Sequence, residues 1–228
     1  DMYSVFLEEA KNYVKKHKDE PFFLYYALHQ PHVPRLPNIM FAGKSKLGAR
    51  GDVILEADYC VEEFLKYLDE LKLTENTIVI FTSDNGPVLD DGYKDMAEEL
   101  NGVHRPAGPF AGWKCSPYEG GARIPMIVRW PEKVKAGTTS DALVCQLDFC
   151  PSFAALLEQP YEVRDGMNVL DALLGVAEEG RECLVLEGYG IDLWLKEGNW
   201  ACIPEYTNRR GEVCLLYTSP SPRDSTSS

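Results

Sequence analysis

The sequence predicts an α/β fold, and three observations carry that prediction. Short, continuous apolar runs at residues 22–27 and 77–83 have the composition of buried strands, with a long amphipathic stretch between them. Two long loops, residues 28–51 and 84–123, follow those runs, and in open α/β sheets ligands sit beyond the carboxyl ends of the strands. Past Gly180 the texture changes to short alternating runs, which suggest a small antiparallel piece beside the core.

Residues 4–18 have helical spacing, with Phe6, Ala10 and Val14 in line and charges opposite. Pro21 stops that helix, and the run Phe22-Phe-Leu-Tyr-Tyr-Ala27 reads as a strand. Ile54, Ala57, Val61, Phe64, Leu65, Leu68 and Leu71 then fall on one helical face. Strand, helix, strand is a βαβ unit, so its two strands are predicted to be parallel. A third apolar run, Pro125-Met-Ile-Val-Arg-Trp130, follows the second loop. A helix over 148–158 tolerates Pro151 in its first turn. Runs at 183–187, 191–196 and 200–205 complete the pattern, with Glu197-Gly198 as a hairpin turn.

The 228 residues are 45% apolar, enough for one substantial core and a small appendage. A net charge of −13 argues against a nucleic-acid partner, which would need a basic stripe. No apolar run reaches the roughly 18–20 residues of a membrane span. Of seven cysteines, six (Cys60, Cys115, Cys145, Cys150, Cys183, Cys202) show no C-x-x-C pair and no His at zinc spacing, and most read as small core residues. The seventh, Cys214, opens the stretch Cys-Leu-Leu-Tyr-Thr-Ser-Pro-Ser-Pro-Arg-Asp, which resembles an in-frame translation of a sequencing adapter. Residues 214–228 are therefore set aside as a non-native tail.

Two long loops inside a compact domain usually mean function. The first carries His29-Gln-Pro-His-Val-Pro34, in which Pro31 and Pro34 stiffen the frame around His32. An imidazole there can donate to an anion or protonate a departing oxygen, or it can simply face water. The second loop opens Asp84-Asn85-Gly86, whose carboxylate and amide oxygens suit a hard cation, although Asn-Gly is also a common turn. Farther on stands Trp113-Lys114-Cys-Ser-Pro-Tyr-Glu-Gly-Gly-Ala-Arg123. Lys114 is a compact cation suited to an oxyanion, while a lone lysine is ordinarily a surface charge.

Taken in order, Phe22-Phe-Leu-Tyr-Tyr, "HQPHVP", "NTIVIFTSDNG", "WKCSPYEGGARIPMIVRWP" and "LDFCPSFAALL" resemble the later part of a sulfatase of the arylsulfatase type, in the alkaline-phosphatase-like superfamily. The resemblance runs to about Pro204. It implies a mixed, mostly parallel sheet flanked by helices, truncated, with part of a small C-terminal antiparallel subdomain. The organisation it suggests is a catalytic portion over 1–182, the start of the β subdomain over 183–213, and the tail over 214–228.

The resemblance also implies roles. Asp84 and Asn85 match ligands of an active-site Ca²⁺, and His32 and Lys114 match groups that contact the sulfate ester and its departing oxygen. His29 falls just behind His32, and His104 lies in the loop that would border the substrate. Asp90 and Asp91 could do the same but read better as an exposed acidic turn. The family's nucleophile, a formylglycine made from a C/S-x-P/A-x-R motif, has no counterpart in these residues, and neither do its paired early aspartates. The expectation is a fragment of a sulfate-ester hydrolase, inactive alone, whose partner is a sulfated small molecule or glycan. A bacterial protein exported to the periplasm or beyond is the family's pattern. A phosphodiesterase- or phosphomutase-like relative and a non-catalytic glycan-binding homologue are the alternatives.

Overall fold

The computed structural model describes residues 2–162, 164–188, 193–207, 211, 213–214 and 217–220. They fall into two compact units, one of Asp1–Thr77 with Val88–Arg105, the other of Ile78–Pro87 with Pro106–Ser228.

In the first unit, α1 (Met2–His17) buries Tyr3, Leu7, Ala10 and Val14, the spacing of one helical stripe. Lys15, Lys16 and His17 occupy its last turn, where cations complement the exposed carbonyls. Phe6, expected on the inner face, is exposed. Helix α2 (Gly48–Glu70) packs on α1 and is longer than its apolar pattern suggested. Its buried face runs through Val53, Glu56, Cys60 and Leu68, and Ile54 is exposed. The rotation has a polar cause. Asp52 accepts the amides of Gly43 and Ser45 at 2.8 and 2.7 Å, and Glu56 accepts the Asn38 amide at 2.8 Å and Gln30 Nε2 at 2.6 Å. The helix therefore turns two carboxylates inward to accept partly buried amides of the preceding loop. Tyr3, Phe41 and Cys60 form the core beneath them.

Residues 22–27 do not form a strand, contrary to the expectation. They keep a strand's alternation, with Phe23 73% and Tyr25 81% exposed between half-buried Phe22, Leu24 and Tyr26. A strand needs a partner's hydrogen bonds as well as a side-chain pattern, and none is assigned to this segment among the described residues.

In the second unit, β1 (Val79–Thr82) pairs antiparallel with β2 (Met126–Arg129). The expected parallel βαβ pair is not assigned among the described residues, since 22–27 is not a strand there, and the ladder of β1 is the one with the run after the second loop. The short helices α3 (Glu119–Ala122), α4 (Phe149–Leu156) and α5 (Leu170–Leu173) follow. Strands β3 (Cys183–Glu187), β4 (Leu193–Glu197) and β5 (Trp200–Ile203) form the antiparallel piece, with Glu197 opposite Trp200 across the hairpin. Positive φ at Gly198 (51°) supplies that turn. Its core is Leu184, Trp194, Ala201 and Ile203. Two short strands, β6 (Tyr206–Thr207) and β7 (Val213–Cys214), pair with each other, and β8 (Tyr217–Pro220) pairs with β5. Part of the stretch set aside as a tail therefore joins the sheets through its backbone.

Asp148 is the polar centre of this unit and is fully buried. Its carboxylate accepts the amides of Cys145 and Met167 and two bonds from Arg181. Burial alone would raise its pKa, but the Arg181 and backbone hydrogen bonds outweigh burial and hold the carboxyl below its ordinary value. Cysteines divide: Cys60 is buried, Cys145 and Cys202 are half-buried, and Cys115, Cys150 and Cys183 are exposed. The core reading holds for Cys60 and fails for the last three. No helix of the described residues is long and apolar enough to cross a membrane.

Candidate functional site

The loop carrying His32 lies in the first unit. His32 donates its backbone amide to the His29 carbonyl at 2.9 Å, closing a tight turn over Gln30 and Pro31. Its Nδ1 lies 2.8 Å from the Val33 carbonyl. A carbonyl only accepts, so that bond places the proton on Nδ1 and leaves Nε2 to meet a ligand. The ring is exposed. His29 is exposed too and stands edge-on to Phe6, with centroids 6.1 Å apart. His104 is exposed in a turn closed by its amide on the Asn101 carbonyl at 3.1 Å and by Asn101 Nδ2 on its own carbonyl at 2.5 Å.

Sequence reasoning passed over Arg35. Its side chain is only 2% exposed and is fully engaged. Nε donates to the Pro31 carbonyl at 3.0 Å, Nη1 to Asp95 at 2.7 Å and Nη2 to Asp91 at 3.1 Å. Asp91 is therefore half-buried and ion-paired, not part of an exposed acidic turn. Arg50 is buried nearby, its guanidinium pKa lowered by burial and by Arg35, with Asp95 opposing. The only sequence signal was a charged residue inside an otherwise stiff Pro-rich segment.

Asp84, Asn85 and Lys114 lie in the second unit, and backbone contacts bring their loops together. The Gly86 amide donates to the Gly121 carbonyl at 2.8 Å, and the Lys114 amide to the Pro87 carbonyl at 2.9 Å. A Cβ on Gly86 would sit 1.9 Å from the Gly120 carbonyl oxygen, so only glycine lets these chains approach. Gly120 and Gly121 are just as confined, with hypothetical Cβ atoms 2.4 Å from the carbonyl oxygens of Gly112 and Ser116 respectively. Lys114 stands at the second position of a turn closed by Ser116 N on the Trp113 carbonyl at 2.9 Å, and Cys115 has the positive φ (68°) that such a turn uses.

The donor set can be tested against a cation. The Asp84 carboxylate is exposed and accepts the Ser83 hydroxyl at 3.4 Å. Asn85 spends Nδ2 on the Gly86 carbonyl at 2.9 Å, which leaves its Oδ1 for a ligand. Two oxygens on adjacent residues fit a hard divalent ion, but Ca²⁺ takes six to eight. Among the described residues no group of three or more His, Cys, Asp or Glu gathers to hold a metal. These residues fit as part of such a site.

Behind Lys114 the carboxylate of Glu119, 3% exposed, meets Lys196 of β4 at 2.8 Å and lies 3.8 Å from Arg123. Arg123 in turn stacks over Phe110 at 4.4 Å. The spacing of Glu119 gave no hint of a partner on a strand so far along the chain.

Comparison with known proteins follows the same residues. Residues 3–159 match the family model described as Sulfatase. The chain is 49% identical over 207 residues to an N-acetylgalactosamine-6-O-sulfatase of Bacteroides thetaiotaomicron, covering 89% of this chain and 40% of the relative. It is 36% identical over 174 residues to the human N-acetylgalactosamine-6-sulfatase, covering 75% of this chain and 32% of that protein. The chain thus spans well under half the length of the curated relatives it matches. A solved Bacteroides thetaiotaomicron structure, described under the metabolism of multiple glycosaminoglycans, superposes with a TM-score of 0.87 at 47% identity, over 90% of this chain and 43% of the other. The structure of Ps i-CgsB in complex with k-i-k-neocarrahexaose gives 0.73 at 26% identity, over 94% and 48%. With the fold of those structures, α/β and alkaline-phosphatase-like, and the family model spanning most of its length, this chain belongs to the sulfatase family.

Proposed function

We propose that this chain supplies part of the active site of an enzyme that hydrolyses sulfate esters. Asp84 and Asn85 would hold one Ca²⁺ together with ligands outside this chain, and His32 and Lys114 would contact the sulfate group. The observation that carries the reading is the Lys114 amide on the Pro87 carbonyl, which ties a cationic side chain to the loop bearing two oxygen donors. Cation and cationic side chain together suit a tetrahedral anion whose charge grows on its leaving oxygen.

The metal, when bound, supplies a Lewis acid and a template. His32 has its tautomer set by Val33, so Nε2 is the atom that would face the ester oxygen. Lys114 would bind an equatorial sulfate oxygen as a point charge. His104 and His29 would lie on the substrate side. The nucleophile, a formylglycine, would come from residues outside this chain. The domain organisation inferred from sequence, with a catalytic portion to residue 182, belongs to the same proposal. So does the periplasmic or extracellular location.

A carbohydrate sulfate is favoured over an aryl sulfate, because relatives named for N-acetylgalactosamine 6-sulfate recur among the matches, one of them at 49% identity. Calorimetric titration with Ca²⁺ tests the reading. The chain should bind weakly, roughly in the millimolar range given an incomplete ligand set, and Asp84→Ala should abolish that binding. Sulfate-ester turnover by the chain alone is not expected. Ca²⁺ binding that survives Asp84→Ala unchanged would overturn the assignment.

A further inference from the structure

Arg35 is a buried cation of the first unit whose guanidinium reaches three separate points of the chain, and one of them adjoins His32. We propose that Arg35 is a positioning residue: through the Pro31 carbonyl on one side and Asp91 and Asp95 on the other, it sets the place and tautomer of the His32 ring. The proposal rests on the sulfate-binding reading of His32 only for its consequence, not for its geometry.

The geometry is specific. Pro31 immediately precedes His32, and its carbonyl accepts Nε at 3.0 Å, so moving the guanidinium moves the peptide that carries the imidazole. Nη1 and Nη2 are held at 2.7 and 3.1 Å by two carboxylates of residues 88–105, and Asp95 is itself fixed by the Ala97 amide at 3.1 Å. The planar fork fills three sites at fixed angles, which an ammonium cannot reproduce. His32 is exposed and draws support from its own backbone: the His29 carbonyl on its amide and the Val33 carbonyl on Nδ1. The first closes the turn whose Pro31 carbonyl Arg35 holds, and the second follows it directly in the chain. A clamp of this kind fixes where Nε2 points without touching a ligand, and displacements near 1 Å at such a group can cost about 100-fold in rate.

The test uses this chain labelled with ¹⁵N at histidine, at one pH, with Arg35→Lys as the first variant. Lysine keeps the charge for one aspartate and loses the bond to Pro31. Wild type should show His32 as a single Nδ1–H tautomer whose ring signals shift on addition of inorganic sulfate. Arg35→Lys should show mixed tautomers at His32 and a sulfate response weakened by about tenfold, in a chain whose unfolding stays cooperative although its thermal midpoint falls. A folded Arg35→Lys chain with a wild-type His32 tautomer overturns the proposal. Should that variant fail to fold, Asp91→Asn and Asp95→Asn provide the same reading by loosening the fork from its far side. Mixed tautomers in either support the clamp, and unchanged spectra in both remove it. If wild-type His32 ignores sulfate yet its tautomer still follows Arg35, the clamp stands and the sulfate role of His32 falls instead.

Discussion

Lys196 on β4 reaches Glu119 at 2.8 Å, and both are almost wholly withdrawn from water. The pair ties the C-terminal sheet to the loop that displays Lys114. Removing one member of a buried pair strands the other, which costs about 3–5 kcal/mol, whereas replacing both can be nearly neutral. Lys196→Met should therefore lower the urea midpoint strongly, and Lys196→Met with Glu119→Gln should recover much of the loss. A double-mutant cycle read by urea unfolding measures the coupling, and additive losses would show that the pair contributes little.

Asp148 makes stability depend on pH in a defined direction. Its carboxyl is buried, and Arg181 with the Cys145 and Met167 amides hold its folded pKa below the unfolded one, about 3.9. A depressed carboxylate pKa adds stability that is complete above the unfolded value and fades as pH falls through the folded one. The stability gap between wild type and Asp148→Asn should thus be flat from pH 7 to 5 and narrow below about pH 4. Urea midpoints at successive pH values check it, and a gap that widens in acid would contradict the sign.

Gly86→Ala should be among the most damaging single-methyl additions in the chain. The new Cβ would overlap the Gly120 carbonyl, a backbone atom that cannot rotate away. The expected loss exceeds about 3 kcal/mol, with displacement of the Asp84–Asn85 turn. Chemical denaturation reads the first effect, and weakened Ca²⁺ binding the second. A stable variant would mean that the two loops can separate at little cost.

Thiol labelling should sort the described cysteines by environment. Cys115, Cys150 and Cys183 should react within minutes in the native chain. Cys60, whose pKa is raised by burial, should stay silent until urea unfolds the helices. Fast labelling of Cys60, located by peptide mapping, would show that the α1–α2 core opens readily.

The fold was legible where periodicity carried it. Apolar spacing located α1 and α2, and alternation located β3, β4 and β5 with the turn at Gly198 between the last two. It failed where a partner decides. Residues 22–27 have a strand's alternation without an assigned ladder, and the pairing of β1 with β2, beyond the second loop, is not written in the residues of either. The buried face of α2 was misread at Ile54 because hydropathy cannot anticipate that Asp52 and Glu56 turn inward to loop amides. The candidate residues themselves were visible as an ordered set of short motifs. Their supports were not: Arg35 with Asp95 and Glu119 with Lys196 are pairings of distant charges, and no local pattern encodes a distance across the chain.

The close approach at Gly86 is made by main-chain atoms on both sides, with no side chain acting as spacer. Side chains at neighbouring positions such as Trp113 or Tyr118 can then change while the approach of the Asp84–Asn85 turn to the Lys114 loop is held by peptide groups alone. An engineer has freedom in what decorates these loops, and almost none in the three glycines on which they rest.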